Sequence, residues 1–292
     1  MNQDAGRRNW LFVTLRLDSG EELPFFVDSG TPVTFFDKSL EPRLGKCLGI
    51  TKFSKFGAKG KTGIYAAPKL YLGGTRLITG NHVYCHDFKE LLQNAGRPVM
   101  GILGMDCLCH YCIQLDFAAG KIRFLDPDQV NGGSLGTAFP LMLKGHLPFI
   151  HTVSLLEGEE TSLLIDTGFN ADGLLRAPRS WRESRGNGDL SISTNSAAAS
   201  GSNFREQLKF PNSIWHGNTY TNLIVIELPT QYPNLIGLRF LARHLVTLDF
   251  PKRILYLKQT SVGPIAGDRF LDNGLTNGSN GATPIKGRRG QP

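Results

Sequence analysis

Two short stretches of the sequence decide the fold: FFVDSGT at residues 25–31 and LLIDTGF at residues 163–169. Each is an apolar run that ends in an Asp, a small hydroxyl residue and a Gly. A strand-like segment and a turn precede each run, with the strands over Leu11–Leu17 and Phe149–Leu156. This arrangement predicts two β-hairpins, each with a second strand that ends in a tight, glycine-dependent loop carrying the Asp.

A second kind of motif follows each Asp loop at a similar distance. It consists of an apolar pair and a Gly before a short helix-like stretch, and then a hairpin that contains a Leu-Asp-Phe triplet. Equivalent residues have nearly equal offsets: 138 residues from Asp28 to Asp166, 133 from Gly104 to Gly237, and 133 from Asp116 to Asp249. Two different motifs repeated in one order at nearly one spacing indicate an internal duplication.

The duplication sets the predicted domain organisation. We predict an N-terminal lobe over residues 10–127 and a C-terminal lobe over residues 146–258. Residues 128–145 are Gly-rich and are predicted to be a linker, with a strand through Phe139–Leu143. Residues 259–292 are rich in Gly and Asn and have few large apolar side chains, so we expect a disordered tail.

The composition favours strands over helices. Of the 292 residues, 40% are hydrophobic, which is enough for packed cores, and 34 Gly with 16 Pro indicate many turns. One short helix is predicted in each copy, over Met105–His110 and Leu238–His244. The predicted fold class is therefore all-β, with two lobes related by a pseudo-twofold axis.

Charge and hydropathy exclude some classes of partner. The net charge of +7 is spread along the chain without a dense basic run, which argues against a nucleic-acid partner. No apolar stretch approaches the ~18 residues that would span a bilayer, so no membrane partner is expected. Residues 1–9 lack the apolar core of a signal peptide. The compartment stays open between the cytoplasm and export with a leader removed.

An Asp on a tight loop can serve in three ways. It can accept backbone N–H groups within its own loop. It can bind a metal, although oxygen-ligand sites need several acidic residues that neither loop supplies. Two such Asp residues held close together can instead share a proton and activate a water for attack on a peptide carbonyl. The duplication favours the third role because it supplies two equivalent loops.

Three cysteines and a histidine form a second candidate for a metal site. Cys107, Cys109 and Cys112 lie close together with His110, but no second pair of zinc ligands is near in sequence. The repeat aligns Cys107 and Cys112 with large apolar residues, which favours buried thiols. We expect no metal and no cofactor.

These motifs resemble the signatures of retropepsin-like aspartic proteases. The chain is similar, over residues 10–258, to bacterial members in which two protease units are fused in tandem. The resemblance implies an aspartic endopeptidase with Asp28 and Asp166 as its catalytic pair and an extended polypeptide as its substrate. It also implies a monomer, because both halves of the site lie on one chain. Pairing between two chains, and a non-catalytic peptide-binding protein of the same fold, remain alternatives.

The resemblance assigns supporting roles around the pair. Residues that fix, shape or underlie the two loops are Ser29, Gly30, Thr31, Thr167, Gly168, Gly104 and Gly237. Phe169 departs from the family pattern, since it replaces the small hydroxyl residue that Thr31 provides in the first loop. A hydroxyl beside Asp28 and an apolar surface beside Asp166 predict Asp28 as the anion and Asp166 as the acid.

The resemblance also implies a hairpin flap that closes over the substrate. In the first copy the flap is predicted over Phe56–Tyr65, with Gly60, Lys61, Thr62 and Gly63 as its candidate residues. The corresponding region of the second copy is Ile192–Leu208.

Overall fold

The protein is mostly β. Its strands form two mixed sheets, and it has a few short helices. The structure is a computed structural model. It describes residues 1–7, 9–55, 58–89, 97–155, 160–176, 191–193, 207–227 and 232–265.

In the described part of the chain, nine strands form the first sheet, in the spatial order β4-β5-β8-β3-β9-β2-β1-β6-β7. Their bounds are β1 (Phe12–Leu17), β2 (Glu22–Val27), β3 (Phe35–Asp37), β4 (Gly49–Lys55), β5 (Ala58–Ala66), β6 (Leu70–Leu72), β7 (Thr75–Arg76), β8 (His82–His86) and β9 (Gly101–Leu103).

Twelve strands of the described residues form the second sheet, in the order β11-β10-β20-β21-β12-β13-β14-β19-β15-β18-β17-β16. Their bounds are β10 (Cys112–Asp116), β11 (Lys121–Leu125), β12 (Thr137–Lys144), β13 (Leu147–Val153), β14 (Glu160–Asp166), β15 (Gly173–Leu175), β16 (Ser191–Ser193), β17 (Gln207–Trp215), β18 (Asn218–Glu227), β19 (Leu235–Gly237), β20 (His244–Asp249) and β21 (Ile254–Gln259).

The two predicted helices are present but shorter than expected. Helix α1 spans Met105–Leu108 and helix α2 spans Leu238–Leu241. Each occupies a single turn because the chain enters the next strand, β10 or β20, within four residues. Short 3-10 helices lie at Lys38–Arg43, Pro127–Gln129 and Gly132–Ser134. Within the residues that the structure describes, no helix is long and apolar enough to cross a membrane.

The same strand pairing occurs in both halves of the chain. In the first half β2 pairs antiparallel with β1 and parallel with β9, and in the second β14 pairs antiparallel with β13 and parallel with β19. Beyond this point, each pair of neighbouring strands in the first half is parallel or antiparallel as its counterpart is in the second. The order is β9, β3, β8, β5 and β4 in the first half and β19, β15, β18, β17 and β16 in the second. The repeat found in the sequence is therefore also a repeat of strand order.

Two hairpins join the halves. The hairpin β10–β11 of the first half lies beside the hairpin β20–β21 of the second, with β10 antiparallel to β20 and Leu115 opposite Val246. The Gln114 amide donates to the Thr247 hydroxyl across this junction at 3.2 Å. The segment 128–145, predicted to be a linker, contains β12, which pairs with both β21 and β13. The hairpins that carry the Leu-Asp-Phe triplets thus meet in one sheet.

A continuous apolar core spans both halves and includes the predicted buried thiols. Cys107 and Cys112 are each 1% exposed, and Cys107 is a member of this core. Burial raises the pKa of Cys112 to about 11 and raises the pKa of Cys107 further, so both stay neutral thiols.

A buried histidine lies at the start of β20. The Nδ1 atom of His244 is 3.0 Å from the Phe240 carbonyl, and its Nε2 atom is 2.9 Å from the Tyr220 hydroxyl. A carbonyl can only accept, so Nδ1 carries the proton and Nε2 accepts from Tyr220. Burial lowers the pKa of His244 to about 4, and the ring is therefore neutral in the folded protein near neutral pH.

We expect the stability of the protein to fall as the pH falls from about 6.5 to about 4. In this window the unfolded chain binds a proton at His244, whereas the folded chain keeps that ring neutral. The free energy of unfolding therefore falls by roughly 3 kcal/mol in total across the window. Urea unfolding at stepped pH values measures it. His244→Gln should flatten the profile over this window, and His82→Gln, at an exposed histidine, should leave it unchanged. Parallel profiles for the wild type and His244→Gln would contradict the prediction.

Candidate active site

Each Asp loop begins at the end of a strand that pairs with a parallel strand, β2 with β9 and β14 with β19. Asp28 follows β2, and its N–H donates to the Leu103 carbonyl of β9 at 3.1 Å. Asp166 is the last residue of β14 and lies in register with Gly237 of β19. We call residues 28–31 the first Asp loop and residues 166–169 the second Asp loop.

The two Asp loops are joined by reciprocal hydrogen bonds. The Ser29 N–H donates to the Thr167 hydroxyl at 3.0 Å, and the Thr167 N–H donates to the Ser29 hydroxyl at 3.0 Å. Each hydroxyl also donates to a carbonyl of the opposite strand, Ser29 to Ile165 at 2.7 Å and Thr167 to Val27 at 2.9 Å. Both side chains are about 1% exposed. The four bonds therefore form a closed network between the halves.

Removing one hydroxyl from this network should destabilise the protein. Thr167→Val keeps the side-chain shape but leaves the buried Ser29 N–H and Val27 carbonyl without the hydroxyl that now pairs with them. We expect a loss of about 1–3 kcal/mol in the free energy of unfolding, measured by urea denaturation. Thr219→Val, the same change at an exposed strand position, should cost under about 0.5 kcal/mol. Equal effects of the two substitutions would contradict the importance of the network.

The loop contacts bring each carboxyl against the glycine of the opposite loop. A Cβ atom placed on Gly30 would lie 2.6 Å from both carboxyl oxygens of Asp166. A Cβ atom placed on Gly168 would lie 2.5 Å from Oδ1 and 2.9 Å from Oδ2 of Asp28. Any side chain at either glycine would collide with a carboxyl group. Each glycine is therefore needed for the close approach of the carboxyl of the opposite loop.

The carboxyl groups have similar but unequal surroundings. Gly30 donates its N–H to Oδ1 of Asp28 at 2.7 Å, and Gly168 donates to Oδ1 of Asp166 at 2.8 Å. The Thr31 hydroxyl donates in addition to Oδ2 of Asp28 at 2.5 Å. Phe169, at the equivalent place in the second Asp loop, has no hydroxyl to donate. Asp28 is 5% exposed, whereas Asp166 is half-buried.

Gly104 and Gly237 lie directly beneath the loops. A Cβ atom on Gly104 would lie 2.5 Å from the Val33 carbonyl oxygen, and one on Gly237 would lie 2.3 Å from the Ala171 carbonyl oxygen. These contacts are with backbone, which cannot easily give way. The two residues thus allow the start of each short helix to pack against the chain that leaves the Asp loop.

Behind each Asp loop lies a polar pair that sequence reasoning missed. In the first half, Thr34 donates to Oδ1 of Asp106 at 2.7 Å, and burial raises the pKa of that carboxyl. In the second half, Asp172 forms an ion pair with Arg239 at 3.2 Å. Thr34 and Asp172 are 138 residues apart and Asp106 and Arg239 are 133 apart, so the repeat offsets could have identified both pairs.

Two buried apolar clusters lie on the sheet faces from which the Asp28 and Asp166 side chains project. Side chains alternate along a strand, so Phe26 shares the face of Asp28, and Leu164 shares the face of Asp166. Around Phe26 the buried cluster is rich in aromatics: Trp10, Phe12, Phe35, Phe88, Val99 and Ile102. Around Leu164 it is mainly aliphatic: Phe149, Ala171, Leu174, Ile226 and Leu235. Both carboxyls therefore follow strands that are packed into buried apolar clusters.

The flap candidates lie within a strand. Gly60, Lys61, Thr62 and Gly63 belong to β5 and pair with residues of β4. Thr62 is buried, and its hydroxyl bonds to the carbonyl and the N–H of Cys85. Phe56 and Gly57, the first two residues of the predicted flap, lie outside the described residues. The role of residues 56–65 as a flap stays a prediction. Of the second-copy flap region, Ile192–Leu208, residues 194–206 lie outside the described residues.

Among the described residues, no three His, Cys, Asp or Glu side chains are grouped so that they could hold a metal ion. No protein-family model matches the chain, and no curated protein matches it. Any assignment of function therefore depends on the geometry around Asp28 and Asp166.

Proposed function

We propose that the protein is an aspartic endopeptidase with a duplicated retropepsin-like fold. The observation that carries the proposal is the mutual approach of the Asp loops, in which each carboxyl touches the glycine of the opposite loop. The reciprocal Ser29 and Thr167 hydrogen bonds and the repeated strand order support it. The proposal treats the two carboxyls as a pair that shares one proton, as neighbouring carboxyl groups in such sites do.

In the proposed mechanism a water molecule is held between Asp28 and Asp166. Asp28 acts as the base, because donors from Gly30 and Thr31 stabilise its anion. The water oxygen attacks the peptide carbonyl carbon while its proton passes to Asp28, and Asp166 gives its proton to the carbonyl oxygen. Collapse of the resulting diol breaks the C–N bond as Asp28 returns its proton to the leaving nitrogen and Asp166 regains one from the diol hydroxyl.

The proposed substrate is a polypeptide in extended conformation. Such a chain can add strand-like hydrogen bonds in a cleft and place alternate side chains against its walls. The half-buried apolar residues that pack against the two clusters, Val33 and Phe169 among them, favour apolar side chains next to the bond that is cleaved. One chain supplies both carboxyls, which favours a monomer.

The direct test is cleavage of a denatured protein mixture between pH 3 and 7. An aspartic endopeptidase should release peptides and be blocked by a pepstatin-type inhibitor. The alternative is a non-catalytic peptide-binding protein of the same fold, and Phe169 in place of a hydroxyl residue is the observation that favours it. Peptide binding without cleavage at any pH would select the alternative. A light-scattering mass of two chains would favour a site formed between molecules.

A further inference from the structure

We propose that Phe169 sets the size of the substrate side chain that fits beside Asp166. The inference rests on the proposed function and adds a substrate class to it. Polypeptides with a small residue, such as Gly, Ala or Ser, at the position over the second Asp loop are accepted. Those with a bulky residue there are rejected. The first Asp loop imposes no such limit.

The backbone of Phe169 is held on both sides. Its N–H donates to the Asp166 carbonyl at 3.4 Å, which places it one turn from the carboxyl-bearing residue. Its carbonyl accepts from the Leu238 N–H at 2.7 Å. The residue therefore keeps a fixed position relative to Asp166 and to the start of α2.

The ring of Phe169 is also confined but not covered. Its Cδ1 atom lies 2.9 Å from where a Cβ atom of Gly237 would be, so the ring rests on that glycine and cannot move towards α2. It packs against the apolar cluster around Leu164, on the sheet face that carries Asp166. The side chain nevertheless remains half-buried. Part of this apolar residue, three positions after Asp166, is thus left exposed.

The first Asp loop presents a different surface at the equivalent position. Thr31 is 1% exposed, and its hydroxyl is turned onto Oδ2 of Asp28. Only backbone of the first loop region approaches Gly104, whereas a ring approaches Gly237. The equivalent positions therefore differ: the first Asp loop has a buried Thr, and the second has a partly exposed Phe. A substrate that extends across both loops meets the Phe side chain only at the second.

The test compares the wild type with Phe169→Ala and Phe169→Thr. Sites cleaved in a denatured protein mixture are mapped by mass spectrometry to find the position that excludes bulky residues. Two peptides that differ only there, Ala against Phe, then give a ratio of kcat/KM values. The same two peptides with a reduced, non-hydrolysable amide give a ratio of Kd values. Both ratios are independent of the fraction of folded protein.

We expect the wild type to prefer the Ala peptide, and each Phe169 variant to shift the ratio towards the Phe peptide by at least about tenfold. Phe124→Ala, at a half-buried aromatic on β11, should leave the ratio unchanged. A wild type that cleaves, with the same ratio in all variants, would overturn the inference and leave the protease proposal standing. A shifted Kd ratio without any cleavage would support the inference and overturn the protease. Neither cleavage nor binding by the wild type would overturn both.

Discussion

Asp28→Asn and Asp166→Asn should each lower kcat/KM for peptide cleavage by about 10³–10⁴-fold while the protein stays folded. Asn has the size of Asp and still accepts the N–H of Gly30 or Gly168, so the loops keep their contacts. It can neither take a proton from water nor give one to the carbonyl oxygen. The measurement is steady-state cleavage of a peptide found in the digest of the wild type, with urea unfolding as the check on folding.

The pair should also behave as a single unit. The double variant Asp28→Asn/Asp166→Asn should be no less active than either single variant. Each substitution alone already removes one of the two carboxyls between which the proton is shared. Asp128→Asn, at an exposed carboxyl, is the matched control and should keep full activity. Activity that survives either single substitution would exclude a shared dyad.

The sequence was sufficient for the parts of the site that depend on backbone order. The apolar runs before Asp28 and Asp166 predicted strands that end in Asp loops, and both loops lie at strand ends. Ser29 and Thr167, which were expected to help fix the loops, form hydrogen bonds between them. These features follow from local patterns repeated at a constant spacing, and such patterns are visible in one sequence.

Features that depend on tertiary context were predicted less well. The predicted helix over Leu238–His244 ends at Leu241, because His244 pairs with Gln259 as part of β20. Gly60 and Gly63 lie in a strand despite the low strand propensity of glycine, because pairing with β4 and the bonds between Thr62 and Cys85 hold this segment extended; its role as a flap stays a prediction. In both cases strand pairing outweighs local propensity.

The ion pair behind the second Asp loop shows what the repeat does not fix. Asp172 takes the place of Thr34, and Arg239 takes the place of Asp106, so a hydroxyl–carboxyl pair is replaced by opposite charges. The duplication preserves a polar contact between these two positions but not its chemistry. A single sequence gives the alignment of the positions, whereas burial and distance come only from the fold.

Replacing Asp172 should cause the largest loss of stability among these predictions. Its carboxyl lies 3.2 Å from Arg239 and 2.9 Å from Arg243, and it accepts the Ile224 N–H at 2.7 Å. All three charged side chains are at most 2% exposed. Asp172→Ala leaves two buried guanidinium groups without this carboxylate. We expect a loss of about 3–5 kcal/mol, which is a large part of the 5–15 kcal/mol typical of a folded domain.

A double-mutant cycle separates the lost ion pair from lost packing. Arg239→Met removes one of the two cations and keeps most of the side-chain volume. If charge left in the core is the cause, Asp172→Ala/Arg239→Met should be less destabilised than the sum of the two single variants, by about 1–3 kcal/mol in urea unfolding. If the losses in free energy of unfolding of the two single variants add up to the loss of the double variant, the pair stabilises the protein only by packing.

The same substitution should affect catalysis before the whole protein unfolds. The Asp172 carbonyl accepts the Gly237 N–H at 3.0 Å, and the Arg239 N–H donates to the Ala171 carbonyl at 3.3 Å. The ion pair therefore holds the start of α2 against the chain that leaves the second Asp loop. With Asp172→Ala, cleavage should fall at urea concentrations below the unfolding midpoint, because this contact loosens first. Activity and unfolding that decline together would mean that the ion pair stabilises the fold as a whole and has no separate influence on the position of Asp166.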